Sequence, residues 1–187
     1  MVTMKILLKP GAFIFMLSVT PLFAVCAQNY IDLDFGAVYS DVSSSEVTSA
    51  DGPLDGGGGG IHLGVGAYRR NDLNNWVYGV KLELDDVAGN LLFSLRALDI
   101  GYEFTPRFAV NGFIGAARWD VATPALGYRL GLGARYSLTD HWALGTDFSY
   151  SDSVARDKIL PGEVGEVVSP DVFYDIFQVS LFMKYIF

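Results

Sequence analysis

The sequence predicts an all-β fold, an eight-stranded antiparallel transmembrane β-barrel with up-and-down strand order, and three observations carry the prediction. Several segments alternate apolar and polar residues with a period of two, which is typical of strands whose two faces meet different surroundings. The polar faces are mostly Gly, Ser and Ala with single charges of both signs, which suits a narrow lumen better than open water. The segments number eight, and an even number lets an antiparallel sheet close with both termini at one end.

The amino-terminal residues have the three parts of a secretory signal peptide. Two lysines precede an apolar run over 11–23, and four small residues follow it. The run is too short to cross a bilayer as a helix. We therefore predict cleavage after Ala27, which gives a signal peptide over residues 1–27 and a barrel domain over 28–187.

Cysteine and charge narrow the functional classes. Cys26 leaves open a lipoprotein signal, although Val25 stands where such signals use Gly, Ala or Ser. Otherwise the mature chain has no thiol. Losing Lys5 and Lys9 with the leader lowers the basic residues from 13 to 11 against 21 acidic ones, a net charge of −10. This acidity, without any Lys/Arg cluster, predicts no nucleic-acid partner.

Six strands alternate regularly. The first places Ile31 and Leu33 on one face and Asp32 and Asp34 on the other. The last, Asp175–Phe187, alternates to an aromatic terminal residue. We expect the first and last strands to pair, because open strand edges are not tolerated in lipid. The six predicted ranges are Tyr30–Val42, Ile61–Tyr68, Trp76–Asp85, Leu126–Tyr136, Trp142–Ser151 and Asp175–Phe187.

The other two strands are less regular. Asn90–Phe104 begins with apolar residues on one parity and ends with them on the other, which a β-bulge near Arg96 and Ala97 would reconcile. Phe108–Trp119 is rich in Gly and Ala, so its faces are ambiguous. We expect its lipid-facing side to carry Val110, Gly112, Ile114 and Ala116.

The connections fall into two sets that alternate along the chain. Three are short and polar and are each followed by an aromatic residue: Asn71–Asn75, Thr105–Arg107 and Thr139–His141. The other set is rich in Asp, Ser and Gly: Asp41–Gly60, Asp86–Gly89, Asp120–Ala125 and Asp152–Val172. Within it, Gly56–Gly60 lacks the Lys-Ser/Thr and the helix of a phosphate-binding loop, so we predict a flexible loop there.

These features together resemble the small eight-stranded outer-membrane barrels of the OmpA/OmpX type, over residues 28–187. The resemblance implies that the short turns face the periplasm and the longer loops the cell surface. It implies that Tyr185 and Phe187 belong to the signal read by the barrel-assembly machinery. It also implies periplasmic chaperones during biogenesis, surrounding lipid and lipopolysaccharide, and a monomer.

A luminal charge network is the predicted site. An eight-stranded barrel is just wide enough for side chains to fill, so charges inside it must pair. We expect Arg129 and Arg135 to meet carboxylates of neighbouring strands, with Asp147 a candidate partner. The proposed members are Asp32, Asp34, Lys81, Glu83, Arg96, Asp99, Arg129, Arg135, Asp147 and Lys184, and Asp85, Glu103 and Asp175 are further luminal acids.

The sequence offers little support for catalysis. An outer-membrane deacylase needs a histidine that activates a nearby serine, but neither His62 nor His141 shows His-x-Ser spacing. We therefore expect no enzyme, cofactor or metal site. The leading hypothesis is a structural or surface-interaction barrel whose lumen is filled by ion pairs. A small porin-like channel is the alternative, and a lipid-modifying enzyme is third.

Overall fold

The computed structural model describes residues 27–44, 56–71, 73–157 and 172–187, which form one closed antiparallel β-barrel. Each strand pairs with its neighbours in chain order, and β8 pairs with β1 to close the sheet. The predicted fold class is therefore confirmed. The strands are β1 (Ala27–Ser44), β2 (Gly56–Asn71), β3 (Trp76–Val87), β4 (Asn90–Glu103), β5 (Phe108–Trp119), β6 (Leu126–Ser137), β7 (Trp142–Asp157) and β8 (Val172–Ile186).

The closing seam is long and continuous. It runs from the pair Asp32↔Ile186 to the pair Ser44↔Tyr174. Beyond the last pair, the backbone N–H of Phe187 donates to the carbonyl of Ile31 at 2.9 Å. No strand edge is therefore left open along this seam, as closure in lipid requires.

Side chains alternate between an exposed outer face and a buried inner face. On β1, Ile31 and Phe35 are about half exposed, whereas Asp32 and Asp34 are buried. On β5, Ile114 points outward and Phe113 inward, as the expected orientation of that strand requires. The outer faces form a continuous apolar belt. Outward charged residues end this belt on five strands, namely Asp41, Asp86, Arg118, Asp152 and Asp175.

The predicted bulge in β4 is confirmed. The β4–β5 register shifts between Arg96 and Leu98. Ala97 and Leu98 are both exposed, while Arg96 and Asp99 are both buried. One extra residue thus switches the parity of the strand and lets both halves keep their apolar residues outward.

Three short turns lie at one end of the barrel, here called the turn end. Two of them share one construction: the Thr105 hydroxyl accepts from the N–H of Phe108 at 3.0 Å, and the Thr139 hydroxyl accepts from Trp142 at 3.0 Å. Side-chain oxygens of Ser, Thr, Asn and Asp commonly satisfy turn backbone in this way. The third turn, described over 73–75, uses the side-chain oxygens of Asn71 and Asn74 as acceptors instead.

At the opposite end, here called the loop end, the strands extend further than predicted. β1 and β2 continue to Ser44 and from Gly56, and β7 and β8 continue to Asp157 and from Val172. The predicted loops Asp41–Gly60 and Asp152–Val172 were therefore too long. Ala88 and Gly89, which join β3 to β4, have φ of 51° and 79°, as a tight hairpin turn requires.

The prediction of a flexible loop at Gly56–Gly60 was wrong. These residues begin β2 and pair with Val42 to Val38 of β1. At Gly60 a side chain would not fit, because an added Cβ would meet the backbone carbonyl of Asp86, and at Gly57 it would displace the Tyr39 hydroxyl. The segment is thus part of the paired sheet, and Gly60 allows a close backbone approach.

The predicted signal peptide lies outside the described residues, apart from Ala27, as do residues 45–55 and 158–171. Cleavage after Ala27 and acylation at Cys26 therefore stay predictions. Within the described ranges, no helix has the length and hydropathy needed to cross a bilayer.

Candidate functional site: the barrel lumen

The structure places all ten residues of the predicted luminal charge network inside the barrel. Nine are buried, and Arg135 is partly buried near the turn end. Those nine join in one connected set of ion pairs. Arg135 belongs to a separate group with Glu103. The nine are Asp32, Asp34, Lys81, Glu83, Arg96, Asp99, Arg129, Asp147 and Lys184.

Arg96 is the hub of the network. Its guanidinium group makes close ion pairs with Glu83 and Asp147 and lies 3.4 Å from Asp99. It also stacks over the ring of Phe113, with the guanidinium carbon 3.5 Å from the ring centroid. Three carboxylates and an aromatic face therefore share one cation, which arginine's planar fork of donors allows.

Toward the loop end, Arg129 extends the network. Its guanidinium lies 3.2 Å from Asp85 and 3.5 Å from Glu83, and it donates to Gln178 Oε1 at 2.5 Å. His62 Nδ1 lies 2.6 Å from Asp85 Oδ1. His62 is thus a buried, hydrogen-bonded residue of the lumen.

Two lysines hold the carboxylates of β1. Lys184 Nζ lies 2.6 Å from Asp32 and 3.5 Å from Asp34. Lys81 reaches Asp34 from β3 by crossing β2 at Gly64, where an added Cβ would lie 2.7 Å from Lys81 Cε. Gly64 therefore provides the passage for this ion pair.

Arg135 forms its own group at the turn end. It lies 2.7 Å from Glu103 and donates to the Tyr30 hydroxyl at 3.3 Å. Arg70 also pairs with Glu103, at 3.0 Å. Tyr30 stacks on Tyr68 with 5.5 Å between ring centroids. This group borders the mouth of the lumen.

The predicted partners of Arg129 and Arg135 were wrong. In the register of β6 and β7, Asp147 pairs with Gly133 and Arg135 with Gly145. However, Asp147 pairs with Arg96, three strands away on β4, while Arg129 reaches across to β3 and Arg135 to β4. An extended arginine spans much of so narrow a lumen, so its nearest carboxylate lies across the barrel rather than beside it.

Asp175 was also misplaced. It lies on the outer face of β8, between the buried Tyr174 and Ile176. Its carboxylate accepts from the Tyr150 hydroxyl and from the Ser153 N–H, both at 2.9 Å. Its parity along β8 matches that of Phe177, which faces outward.

Sequence reasoning missed three aromatic rings that pack among the charges. Besides Phe113, they are Phe182, 4.8 Å from Lys81 Nζ, and Tyr68, 5.1 Å from Lys184 Nζ. Glycines make room for them. An added Cβ would strike the Tyr68 ring from Gly66 or Gly79, and the Phe182 ring from Gly145. Glycines opposite a buried aromatic ring are the signal that could have revealed these positions.

The loop end of the lumen is filled by apolar side chains instead of charges. We call this group the cap. All of its members are 3% exposed or less. They are Val42, Val87, Leu92, Ala117, Trp119, Val154, Ala155, Tyr174 and Ile176. The cap lies on the opposite side of the Arg129 group from the turn end.

Nearer the turn end, the lumen contains a cavity of about 40 Å³. Its lining includes Tyr68, Arg96, Asn111, Arg135 and Lys184. Charged and apolar side chains both line the cavity, and its size leaves room for water, since one water needs roughly 10–15 Å³. Buried apolar side chains thus occupy the loop end of the lumen, whereas the part toward the turn end contains this cavity.

The geometry offers no assembled catalytic set among the described residues. His62 is fully buried beside Asp85 and the Phe182 ring, 5.1 Å away. His141 is exposed in a turn, where its Nδ1 lies 3.0 Å from the carbonyl oxygen of Ile186. In the described ranges, no three His, Cys, Asp or Glu side chains are arranged to hold a metal ion.

Comparison with known proteins supports the fold. No protein-family model matches the sequence, and no curated protein matches it. Neisserial surface protein A superimposes with a TM-score of 0.53 at 16% identity, over 85% of this chain and 97% of that one. Ail of Yersinia pestis, crystallised with the heparin analogue sucrose octasulfate, gives 0.49 at 14% identity, over 86% and 99%. The outer-membrane protein AlkL gives 0.43 at 17%, over 83% and 90%.

The expected resemblance is thus confirmed at the level of architecture. The strand number, the antiparallel order and the closed seam agree with Neisserial surface protein A over nearly the whole of that chain. The chain has the fold of the small eight-stranded outer-membrane β-barrels.

Proposed function

We propose that this protein is an integral outer-membrane barrel with a structural or surface-interaction role and a lumen that does not conduct. The observation that carries the proposal is the contrast between the barrel's two faces. The outer face is a continuous apolar belt, and the inner face is filled by paired charges and the cap.

The height of the belt supports a membrane location. On β1 the outward apolar positions run from Ile31 to Tyr39 and end at Asp41. Nine strand residues at about 3.3 Å each, tilted by roughly 40°, span about 23 Å, close to the apolar band of outer-membrane barrels. Soluble proteins rarely expose so large a continuous apolar surface to water.

Aromatic residues mark the boundary of the belt at the turn end. At the turn end, Trp142 lies 4.9 Å from Tyr185, and Tyr185 lies 4.8 Å from Phe187, measured between ring centroids. On the other side of the barrel, Trp76 lies 5.1 Å from Tyr102. Such aromatic girdles mark membrane interfaces. Outer-membrane barrels have short turns on the periplasmic side and longer loops outside, so we assign the turn end to the periplasm and the loop end to the cell surface.

The partners follow from this location. Lipid and lipopolysaccharide would surround the belt, and the barrel would be a monomer. Periplasmic chaperones and the barrel-assembly machinery would act during biogenesis, with Tyr185 and Phe187 forming part of the assembly signal. Phe187 is 64% exposed, so it is accessible to such a partner.

The lumen argues for a non-enzymatic, non-conducting barrel over the two alternatives. A deacylase would need a serine beside an accessible histidine, whereas His62 is buried on Asp85. A porin-like channel would need a water path past Arg96 and past the cap. Any surface interaction would then be made by the loops.

Surface proteolysis on whole cells tests the location and orientation. A protease site inserted within residues 45–55 or 158–171 should be cut on intact cells. The same site placed in the turn at Thr105–Arg107 is the matched control, and it should be cut only after the outer membrane is opened. Cleavage of the turn site on intact cells, or protection of both loop sites, would contradict the proposal.

Deleting Phe187 tests the assembly signal. We expect lower outer-membrane levels in cells, while refolding into detergent is less affected, because only the cellular route uses the assembly machinery. Surface abundance compared with refolding yield measures this difference. Equal surface levels of the truncated and full-length chains would remove the assembly role and leave the barrel unaffected.

A further inference from the structure

The cap is formed by strands that extend to different distances at the loop end. Val154, Ala155, Tyr174 and Ile176 come from the tall β7 and β8 strands, and the shorter β3–β4 and β5–β6 hairpins supply most of the other members. Trp119 lies between the two groups. Its indole N–H donates to the Val87 carbonyl at 3.3 Å, and its ring meets Tyr174 edge-on at 6.3 Å.

A bulge in β7 places two of its side chains in the cap. The β7–β8 register jumps from Ser151↔Ile176 to Ala155↔Tyr174, and Ser153 has a left-handed φ of 56°. Asp175 holds this backbone by accepting from the Ser153 N–H at 2.9 Å. The extra residues turn two consecutive side chains, Val154 and Ala155, into the lumen.

The two ends of the lumen differ in access. At the turn end, the side chains of Arg70 and Arg135 are 39% and 17% exposed, and the cavity lies beside them. At the loop end, Trp119 and Tyr174 are 0% and 1% exposed. Ser151, at the level of Arg129, is fully buried, and its hydroxyl makes no hydrogen bond to the described residues.

We propose that the cap is a one-sided seal that excludes water and ions from the lumen at the loop end, independently of the ion pairs beneath it. The buried apolar side chains of the cap offer no hydrogen-bond partner to water. The lumen is therefore closed at the loop end, and the ion pairs of Arg96 and Arg129 lie between the turn-end cavity and Ser151. In the proposed orientation, the seal shields the charges from the cell exterior, and that assignment of compartments rests on the proposed function.

Thiol accessibility in the refolded full chain tests the seal. In a Cys26→Ser background, the probe is Ser151→Cys, just beneath the cap, and the comparison position is Asn111→Cys, on the turn-end cavity. The reagent is a charged, membrane-impermeant methanethiosulfonate. We expect Asn111→Cys to react and Ser151→Cys to stay unreactive while the cap is intact.

Adding Trp119→Ala should raise the reaction rate of Ser151→Cys by at least about tenfold, because the buried thiol no longer waits for local opening. The rate at Asn111→Cys should not change. Leu91→Ala is the matched control, since Leu91 faces outward beside the buried Leu92 and its loss should leave Ser151→Cys protected. Heat-modifiable gel mobility shows which variants are folded.

If Trp119→Ala does not fold, Asp175→Ala provides the same test by loosening the bulge that carries Val154. Reaction at Ser151→Cys with the cap intact would overturn the proposal, and so would continued protection in a folded cap variant. Because the labelling uses refolded protein, its failure is distinct from a failure of whole-cell proteolysis, which tests membrane location.

Discussion

The two parts of the lumen fill the same narrow space with opposite chemistry. From Tyr30 to Arg129, the interior is built of charges of both signs that pair across the barrel. On the loop-end side of Arg129, the cap is apolar and resembles the core of a small soluble protein. The ion pairs lie at the level of the apolar belt. Much of the cap instead lies beyond the outward charges that end the belt, such as Asp41 and Asp175.

The difference teaches how each part responds to change. A buried ion pair is costly to break, because the remaining partner keeps its charge in a poorly solvated place. An apolar core tolerates exchanges that conserve volume and suffers mainly from cavities. The charged part should therefore be sensitive to chemistry and the cap to shape.

The largest effect is expected at Arg96. Arg96→Met keeps most of the side-chain volume but leaves Glu83 and Asp147 without their shared cation, and we expect a loss of about 3–5 kcal/mol in the free energy of unfolding. Urea titrations in lipid vesicles measure it. Arg118→Met, on the exposed outer rim, is the control and should cost less than about 0.5 kcal/mol. Equal effects at both positions would end the distinction between network and surface.

In the cap, loss of volume should be nearly as costly. Leu92→Ala creates a cavity in a fully buried site, and we expect about 3 kcal/mol of destabilisation in the same titrations. The neighbouring Leu91→Ala faces outward and should cost clearly less. A Leu92→Ala variant as stable as Leu91→Ala would show that the cap is not a packed core.

A charge placed on the outer face should destabilise the barrel. Leu130 and Leu132 face outward on β6, so Leu130→Arg or Leu132→Arg should each cost about 2–4 kcal/mol near the bilayer midplane. Gly131→Arg acts through the lumen instead, where an added Cβ already strikes the Phe113 ring. Folding titrations into vesicles with no penalty at either leucine would reverse the assignment of faces.

The smallest effect sharpens the comparison most. Ile176→Leu conserves volume in the cap, so we expect it to cost less than about 1.5 kcal/mol, well below Arg96→Met. The test is whether the two substitutions separate in vesicle unfolding titrations. A conservative cap substitution as damaging as loss of the Arg96 charge would mean that both parts depend on exact shape.

Alternation predicted the strands, the faces and the bulge at Ala97, because an apolar outer face and a charged inner face constrain each residue from Ile31 to Tyr39 and the matching residues of the other strands. It could not predict the ion-pair partners, since pairing across the lumen depends on barrel width and side-chain reach. It also missed the cap. The bulge before Val154 places consecutive residues inward, which breaks the period of two.

Single-channel conductance in a planar bilayer tests the central claim, that the Arg96 ion pairs and the cap together block the lumen. The wild-type barrel should leave the bilayer silent, because Arg96 and Trp119 are buried in the lumen at two successive levels. Refolded protein, with folding checked by heat-modifiable mobility, serves at matched protein-to-lipid ratios. Discrete, reproducible openings from the wild-type protein would contradict a filled lumen and favour the porin-like channel.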